Sequence, residues 1–266
     1  MRSVLFCPAT NQRAMAKLAS LPCDAVIIDL EDAVGVDQKD LARKGVLAGF
    51  EHGFGAKTAA LRINGSDTPF YAKDIELAAR TKPDAVVLPK AEDVAQLDDM
   101  AGRLDAPLWL MIETPLGVLK VADLAAHSRV QALILGPNDL RLALAAQDDP
   151  TRSALQTSMG AVILAARAYG KIALDGVYND FRDLNGLARE AAQARLMGFH
   201  GKTLIHPSQI EPTNTAFSPS LADVANARRI IEAFEAGDGN ALQLDGVMIE
   251  ALHVDEALRL LRLVDD

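Results

Sequence analysis

Charged and polar side chains recur in this sequence at one kind of position, the C-terminal end of an apolar run. Asp29, Glu31 and Asp32 close AVIIDLED, Arg62 and Asn64 close AALRIN, and Lys90 closes AVVLPK. Glu113 closes LWLMIE, Asp139 ends ALILGPND, Asp175 lies in IALDGVY, and Lys202 and His206 lie in GKTLIHP. Continuous runs of Val, Ile and Leu mark parallel strands buried on both faces. Charges gathered at the same end of many such strands meet at one place, which in a (β/α)8 barrel is the face that carries chemistry.

Glu113 and Asp139 end successive strands, which lie about 4.8 Å apart when paired. Two carboxylates so close can share one cation and leave roughly four octahedral positions for substrate and water, a pattern that suits Mg²⁺ or Mn²⁺. The five histidines and two cysteines show no zinc-type spacing. The plain alternative is a pair of solvated loop acids. The metal reading is favoured because Glu113 directly follows a wholly apolar run and because Gly117 and Gly136 leave room for a ligand.

Arg62 at a barrel mouth can grip a carboxylate through two parallel hydrogen bonds. It can equally form an ion pair with Glu31 or Asp32 across the strand gap, and the two roles are compatible. Glu31 and Asp32 then orient Arg62 or a water. Lys90 raises the idea of a Schiff base, but the surrounding carboxylates hold it protonated and favour pairing instead. His206, before a proline, and Lys202 read as structural, and Asp180 and Asp183 as helix-capping residues. Phe6 and Tyr178 either line a pocket or pack.

Eight strands are expected, at residues 3–7, 25–29, 59–63, 85–88, 108–112, 132–135, 172–175 and 201–205. Helical patterns fall between them at 38–50, 70–79, 94–104, 117–126, 152–169 and 184–197. This alternation predicts an α/β fold closed into a (β/α)8 TIM barrel. No G-x-G-x-x-G follows a strand, which argues against a dinucleotide-binding sheet. The barrel is expected over residues 1–216 and a C-terminal helical extension over 217–266. In the extension, a helix at 221–236 is broken at 237–239, and a last helix spans 247–264. The apolar run Val247, Met248 and Ile249 there predicts packing on a neighbouring subunit.

The 266 residues are half apolar and carry a net charge of −9, which excludes nucleic acid and anionic membranes as general partners. Cys7 and Cys23 are expected at opposite ends of neighbouring strands, roughly 15 Å apart at about 3.3 Å per residue. That is too far for a disulfide, so both are predicted to be free thiols of a reducing compartment. MRSVLFCPAT has too short an apolar stretch for a signal peptide, and no segment reaches the roughly 18 apolar residues of a membrane span. A cytoplasmic location is expected.

Taken together, RSVLFCPA, DLEDAV with Lys39 and Arg43 downstream, LRINGSDTPF, LPK, IETPLG, LGPNDL, DGVYNDFRD, GFHGKTLIHPSQI, FSPS and GVMIEA resemble the family of the citrate lyase β-subunit and malyl-CoA lyase, among the metal-dependent aldolases. The resemblance implies a (β/α)8 barrel, commonly trimeric, whose C-terminal segment packs on a neighbour. It implies Glu113 and Asp139 as Mg²⁺ ligands, Arg62 on the 2-oxo acid, Phe6 and Lys17 on coenzyme A, and Asp175 beside the thioester arm. Two positions depart from it. Asn11 stands where malyl-CoA lyases have an Arg, with Arg13 a possible substitute. Glu250 stands where several members have an acid/base Asp supplied by the neighbouring subunit.

The implied activity is Mg²⁺-dependent C–C cleavage, or formation, of a citryl- or malyl-type 3-hydroxyacyl thioester, giving an acetyl thioester and a 2-oxo acid. The thiol is coenzyme A or an acyl carrier. Arg62, Glu31 and Glu250 are the expected catalytic groups. The alternatives are an aldolase acting on free hydroxy-oxo acids, a thioester hydrolase, and a catalytically idle assembly subunit.

Overall fold

A computed structural model describes residues 1–237 and 240–265. Eight parallel strands form a closed barrel in chain order: β1 (Ser3–Pro8), β2 (Ala25–Asp29), β3 (Thr58–Arg62), β4 (Ala85–Leu88), β5 (Leu108–Ile112), β6 (Val130–Leu135), β7 (Ile172–Asp175) and β8 (Gly201–Leu204). Closure is carried by β1, which pairs with β2 through Val4 and Ala25 and with β8 through Val4 and Thr203. The helices that return the chain are α1 (Gln12–Met15), α2 (Lys39–His52), α3 (Tyr71–Thr81), α4 (Val94–Ala101), α5 (Pro115–Leu119), α6 (Val121–Ala126), α7 (Pro137–Ala143), α8 (Gln156–Ala168), α9 (Leu184–Met197) and α10 (Ile210–Phe217).

Strand side chains alternate between two faces, and here both faces are buried. Val4, Ala25, Ile27, Ala60, Ala85, Val87, Trp109, Met111, Ala132, Ile134 and Leu174 fill the barrel interior. Trp109 is fully buried there, and several of its companions are alanines, so one large ring is accommodated by small neighbours. Its indole N–H donates to Gln131 at 2.8 Å. The alternate strand residues, Val26, Ile28, Leu61, Val86, Leu110 and Leu133 among them, pack outward in a second cluster with the helices. The same alternation decides which charged residues reach the mouth. Asp29, Arg62 and Glu113 share the parity of Ile27, Ala60 and Met111 and continue the interior face, whereas Asp175 follows the interior residue Leu174 and turns outward.

Most expected elements are present, with ends unchanged or moved by up to three residues. The helix expected at 117–126 is two, because Thr114 and Pro115 start α5 early and Lys120 leaves the helical region. The pattern at 152–169 opens with a 3₁₀ turn, Ser153–Leu155, after a left-handed Arg152. Cys7 and Cys23 are buried free thiols.

The chain divides into two compact units, Met1–Phe217 and Ser218–Asp266. In the second, α11 (Leu221–Ala236) starts at a Ser220–Asp223 capping box and packs along α12 (Ala251–Asp265). The single helix expected at 247–264 is corrected. Val247–Ile249 is β10, paired antiparallel with β9 (Leu242–Leu244). Asp245 and Gly246 between them both have positive φ, 51° and 83°, as a tight two-residue hairpin turn requires. Gly237 caps α11, and the rest of the expected break, residues 238 and 239, lies outside the described residues. Among the described residues no helix is long and apolar enough to cross a membrane.

The interior packing makes a direct prediction. Trp109→Ala should destabilise the protein by about 3–5 kcal/mol in urea unfolding, the usual cost of emptying a large aromatic site. A loss below about 1 kcal/mol would contradict a barrel interior organised around this ring.

Candidate active site

Arg62 ends β3 with its side chain under the barrel mouth, only 7% exposed. The β2–β3 register sets Asp29 directly opposite. Nε and Nη2 of Arg62 donate to the two Asp29 oxygens at 2.7 and 2.6 Å. The fork that the sequence offers to a substrate carboxylate is therefore already filled. The partner is Asp29, which sequence reasoning had not paired with Arg62, although the expected ion pair with Glu31 also forms. Nη1 lies 2.9 Å from Glu31 Oε2 and 3.4 Å from Met111 Sδ. The Phe6 ring lies 4.9 Å from the guanidinium carbon. Burial opposes the charge on Arg62, but Asp29 outweighs it and the group stays protonated.

Asp29 also accepts from the backbone N–H groups of Glu31 and Ala33, at 2.8 and 3.2 Å, so it shapes the turn after β2. Buried Lys39 holds the same turn from behind, its Nζ donating to the Leu30 and Glu31 carbonyls at 2.7 and 2.8 Å. Asn64 donates to the Leu30 carbonyl as well, and Asp74 fixes Asn64. Glu31 is thus a buried acid with a rigid backbone. Burial pushes its carboxyl up, and Arg62 and Lys90 only partly offset that. Oε1 accepts from Lys90 Nζ at 3.0 Å. Oε2 has no hydrogen bond despite its ionic contact with Arg62.

Glu113 follows β5 and is 2% exposed. Its Oε1 accepts the Lys90 backbone N–H at 2.8 Å. Its other oxygen lies over Gly136, where an added Cβ would fall 2.5 Å from Oε2 and 2.3 Å from the Glu113 Cβ. Glycine is therefore required at 136 by close approach. Burial first, and then the negative charge of Glu31, push the Glu113 carboxyl up to about 7 against the pull of Arg62. Asp139 stands half-buried in the first turn of α7 and adds to that repulsion.

Glu113, Asp139, Arg62, Asp29, Asp32 and Phe6 line one cavity of about 290 Å³ at the mouth. Among the described residues no three His, Cys, Asp or Glu side chains gather as a ligand set. Two hard carboxylates, one of them buried and charge-repelled, fit a divalent cation such as Mg²⁺ whose remaining positions are filled by substrate and water.

Other expected residues lie elsewhere. Lys17 is exposed on the first βα connection and does not line this cavity. Asp175 is fully buried on the outer face of the barrel, where Arg152 and Lys202 each bond it at 2.8 Å and Glu190 of α9 joins them. Its carboxylate is consumed there, and its strand parity keeps it from the mouth. Lys202 is structural by the same contacts. His206 caps the turn after β8 through Ser208 and stacks on Phe181. Asp183 caps α9. Glu250 is exposed in the second unit, before α12, and its backbone N–H donates to His253. Asn138 and Asn179, not singled out from sequence, exchange two side-chain hydrogen bonds at the rim, at 3.2 and 2.7 Å.

The Glu113 environment gives a pH signature. Its carboxyl ordinarily titrates near 4.5 and here near 7, so between those values the folded state binds more protons than the unfolded one. Stability of the metal-free protein should fall as pH rises through that window. Glu113→Gln keeps an acceptor for Lys90, should flatten the decline, and should be the more stable form at pH 8 by about 1–3 kcal/mol. Urea midpoints in chelator from pH 5 to 8 check this, and a Gln variant less stable at pH 8 would contradict it.

The chain is similar throughout its length to proteins of known kind. The model of the HpcH/HpaI aldolase/citrate lyase family matches residues 2–207. A (3S)-malyl-CoA thioesterase of Cereibacter sphaeroides is 44% identical over 259 residues, covering 95% of this chain and 90% of that protein. The citrate lyase subunit beta of Escherichia coli K12 is 31% identical over 273 residues, covering 96% and 90%. The crystal structure of CitE from Mycobacterium tuberculosis in complex with magnesium, acetoacetate and coenzyme A superimposes with a TM-score of 0.90 at 33% identity, covering 100% of this chain and 98% of that one. The closed eight-stranded barrel, the acid pair at its mouth and these similarities agree: the chain belongs to the HpcH/HpaI aldolase/citrate lyase family.

Proposed function

We propose that this protein is a Mg²⁺-dependent hydrolase of a hydroxyacyl coenzyme A thioester that carries a free carboxylate, of the (3S)-malyl-CoA kind. The observation that carries the proposal is the convergence of Glu113, Asp139 and the braced Arg62 in one cavity. The choice of hydrolysis is supported by the 44% identity to thioesterases, against 31–34% for citrate lyase β-type relatives. A cation held by Glu113 and Asp139 supplies Lewis acidity and a template for the oxygens of the substrate. Arg62 has one nitrogen, Nη1, not committed to Asp29, and its charge attracts the substrate carboxylate. Phe6, Met111 and Ile205 give the cavity an apolar wall for the acyl chain and keep water from the guanidinium. Water adds to the thioester carbonyl carbon and the C–S bond breaks. The proton lost by the water ends on the departing thiolate, with Asp32, exposed on the cavity wall, as its carrier.

The second reading is C–C cleavage of the same thioester to an acetyl thioester and a 2-oxo acid. It is favoured by neighbours crystallised with magnesium and acetoacetate or oxaloacetate. An acid/base is then needed at the carbon that becomes the acetyl methyl group. Glu250 of a second copy is our candidate, in a homo-oligomer, a trimer by analogy with the family. Exposed Val247 and Met248, at 60% and 57%, give the second unit an apolar surface suited to such packing. We also infer a reducing, cytoplasmic setting, in keeping with the two free thiols.

Product analysis decides between the two readings. Malyl-CoA with Mg²⁺ should yield malate and free coenzyme A, with one oxygen of malate drawn from ¹⁸O-labelled water. Glyoxylate and acetyl-CoA instead would favour the lyase. Asp139→Ala should lower either turnover by about 100-fold or more and remove its dependence on added Mg²⁺. Full activity of that variant in chelator would defeat the metal assignment. For the shared-site reading, mixing inactive Asp139→Ala and Glu250→Ala subunits should restore part of the lyase activity. A mixture still inactive after verified subunit exchange, or a fully active Glu250→Ala protein, would end it.

A further inference from the structure

Lys90 ends the LPK run after β4 and is bonded both to Glu113 after β5 and to Glu31 after β2. Its backbone N–H donates to Glu113 Oε1, and its Nζ donates to Glu31 Oε1. It adopts φ 48°, the left-handed region that a residue with a Cβ enters only at a cost. That turn aims the N–H back at Glu113 while the stem runs across to Glu31. The charges around it are unbalanced. Asp29, Glu31, Asp32, Glu113 and Asp139 crowd the mouth; the cations in contact with these carboxylates are Arg62 and Lys90, and Lys39 faces Asp29, Glu31 and Asp32 from behind the turn, its ammonium bonded to backbone carbonyls. Arg62 faces Asp29 and Glu31 together, so the trio without Lys90 carries a net negative charge. The unbonded Glu31 oxygen beside Nη1 sharpens the problem, because it is buried and its charge falls on Arg62 unrelieved by solvent.

We propose that Lys90 is a positioning and specificity residue: its backbone N–H fixes Glu113, and its ammonium group neutralises Glu31 so that Arg62 can accept a carboxylate-bearing substrate. The proposal rests on the carboxylate-binding role given to Arg62 above. It makes two effects run in opposite directions. Loss of the ammonium group weakens binding of an anion, through like-charge repulsion from Glu31. The same loss leaves cation binding at Glu113 and Asp139 intact or tighter, because a positive charge near the acid pair is gone while the backbone N–H remains.

The test is calorimetric binding of L-malate to the Mg²⁺-loaded protein, together with Mn²⁺ titration of the metal-free protein followed by electron paramagnetic resonance. Lys90→Gly suits the left-handed backbone and keeps the N–H. Lys90→Met keeps the stem and serves as a second variant if the glycine protein folds poorly. Each should bind malate about tenfold or more weakly and Mn²⁺ at least as tightly as the wild type. Adding Glu31→Gln should bring malate affinity back to within about threefold of the wild type. A purely structural Lys90 would lose malate and Mn²⁺ together, and Glu31→Gln would not rescue it. Unchanged malate affinity, no rescue, or parallel loss of Mn²⁺ overturns the proposal. Failure of the wild-type protein itself to bind malate overturns the role of Arg62, and this proposal with it.

Discussion

The buried contact between Arg62 and Asp29 is the constraint from which the rest of the mouth follows. A guanidinium inside a barrel loses its hydration and is tolerable only when its donors are met. Asp29 meets two of them because strand register sets it opposite. The same carboxylate then takes two backbone N–H groups of the next turn, which fixes where Glu31 stands. Glu31 in turn holds the ammonium group of Lys90, and the backbone of Lys90 holds Glu113. One chain of contacts therefore runs from β2 through β3 and β4 to β5.

Such an assembly is under electrostatic load. Burial and neighbouring acids, Asp32 beside Glu31 and then Glu31 and Asp139 beside Glu113, push both carboxyls toward their neutral forms. A fold organised only for stability would replace these acids with apolar groups of similar volume. At the open end of a well-packed interior they cost stability, and they supply the charge that the proposed site needs to hold a cation and an anion side by side. The outer-face tetrad of Arg152, Asp175, Lys202 and Glu190 is the contrasting case. Its charges balance within it and tie α9 to β7 and β8.

Much of this was legible in the sequence. The eight strands could be read because parallel strands buried on both faces leave unbroken apolar runs, and the acid pair could be read because Glu113 directly follows one of them and Asp139 lies four residues past the next. What escaped needed information that local pattern does not carry. The partner of Arg62 depends on the register between two strands, which neither strand encodes alone. Asp175 was assigned toward the thioester arm by resemblance, yet counting alternate residues from Leu174 would have turned it outward. The hairpin at β9–β10 had a signal, Asp245–Gly246, but the apolar run after it also fits a helix, and the helical reading covered the turn. The break at Lys120 has no sequence mark comparable to a proline or glycine.

Gly136 contributes no functional group, yet Glu113 folds across it, and an added methyl carbon would fall 2.3 Å from the Glu113 Cβ and 2.5 Å from its carboxylate. Turning the acid aside would relieve only the second contact. The first belongs to the strand end itself, so the neighbouring ends of β5 and β6 would have to part for the carbon to fit. Position 136 therefore joins fold to chemistry, and the gain of one carbon atom there would be felt by the barrel wall and by the acid together.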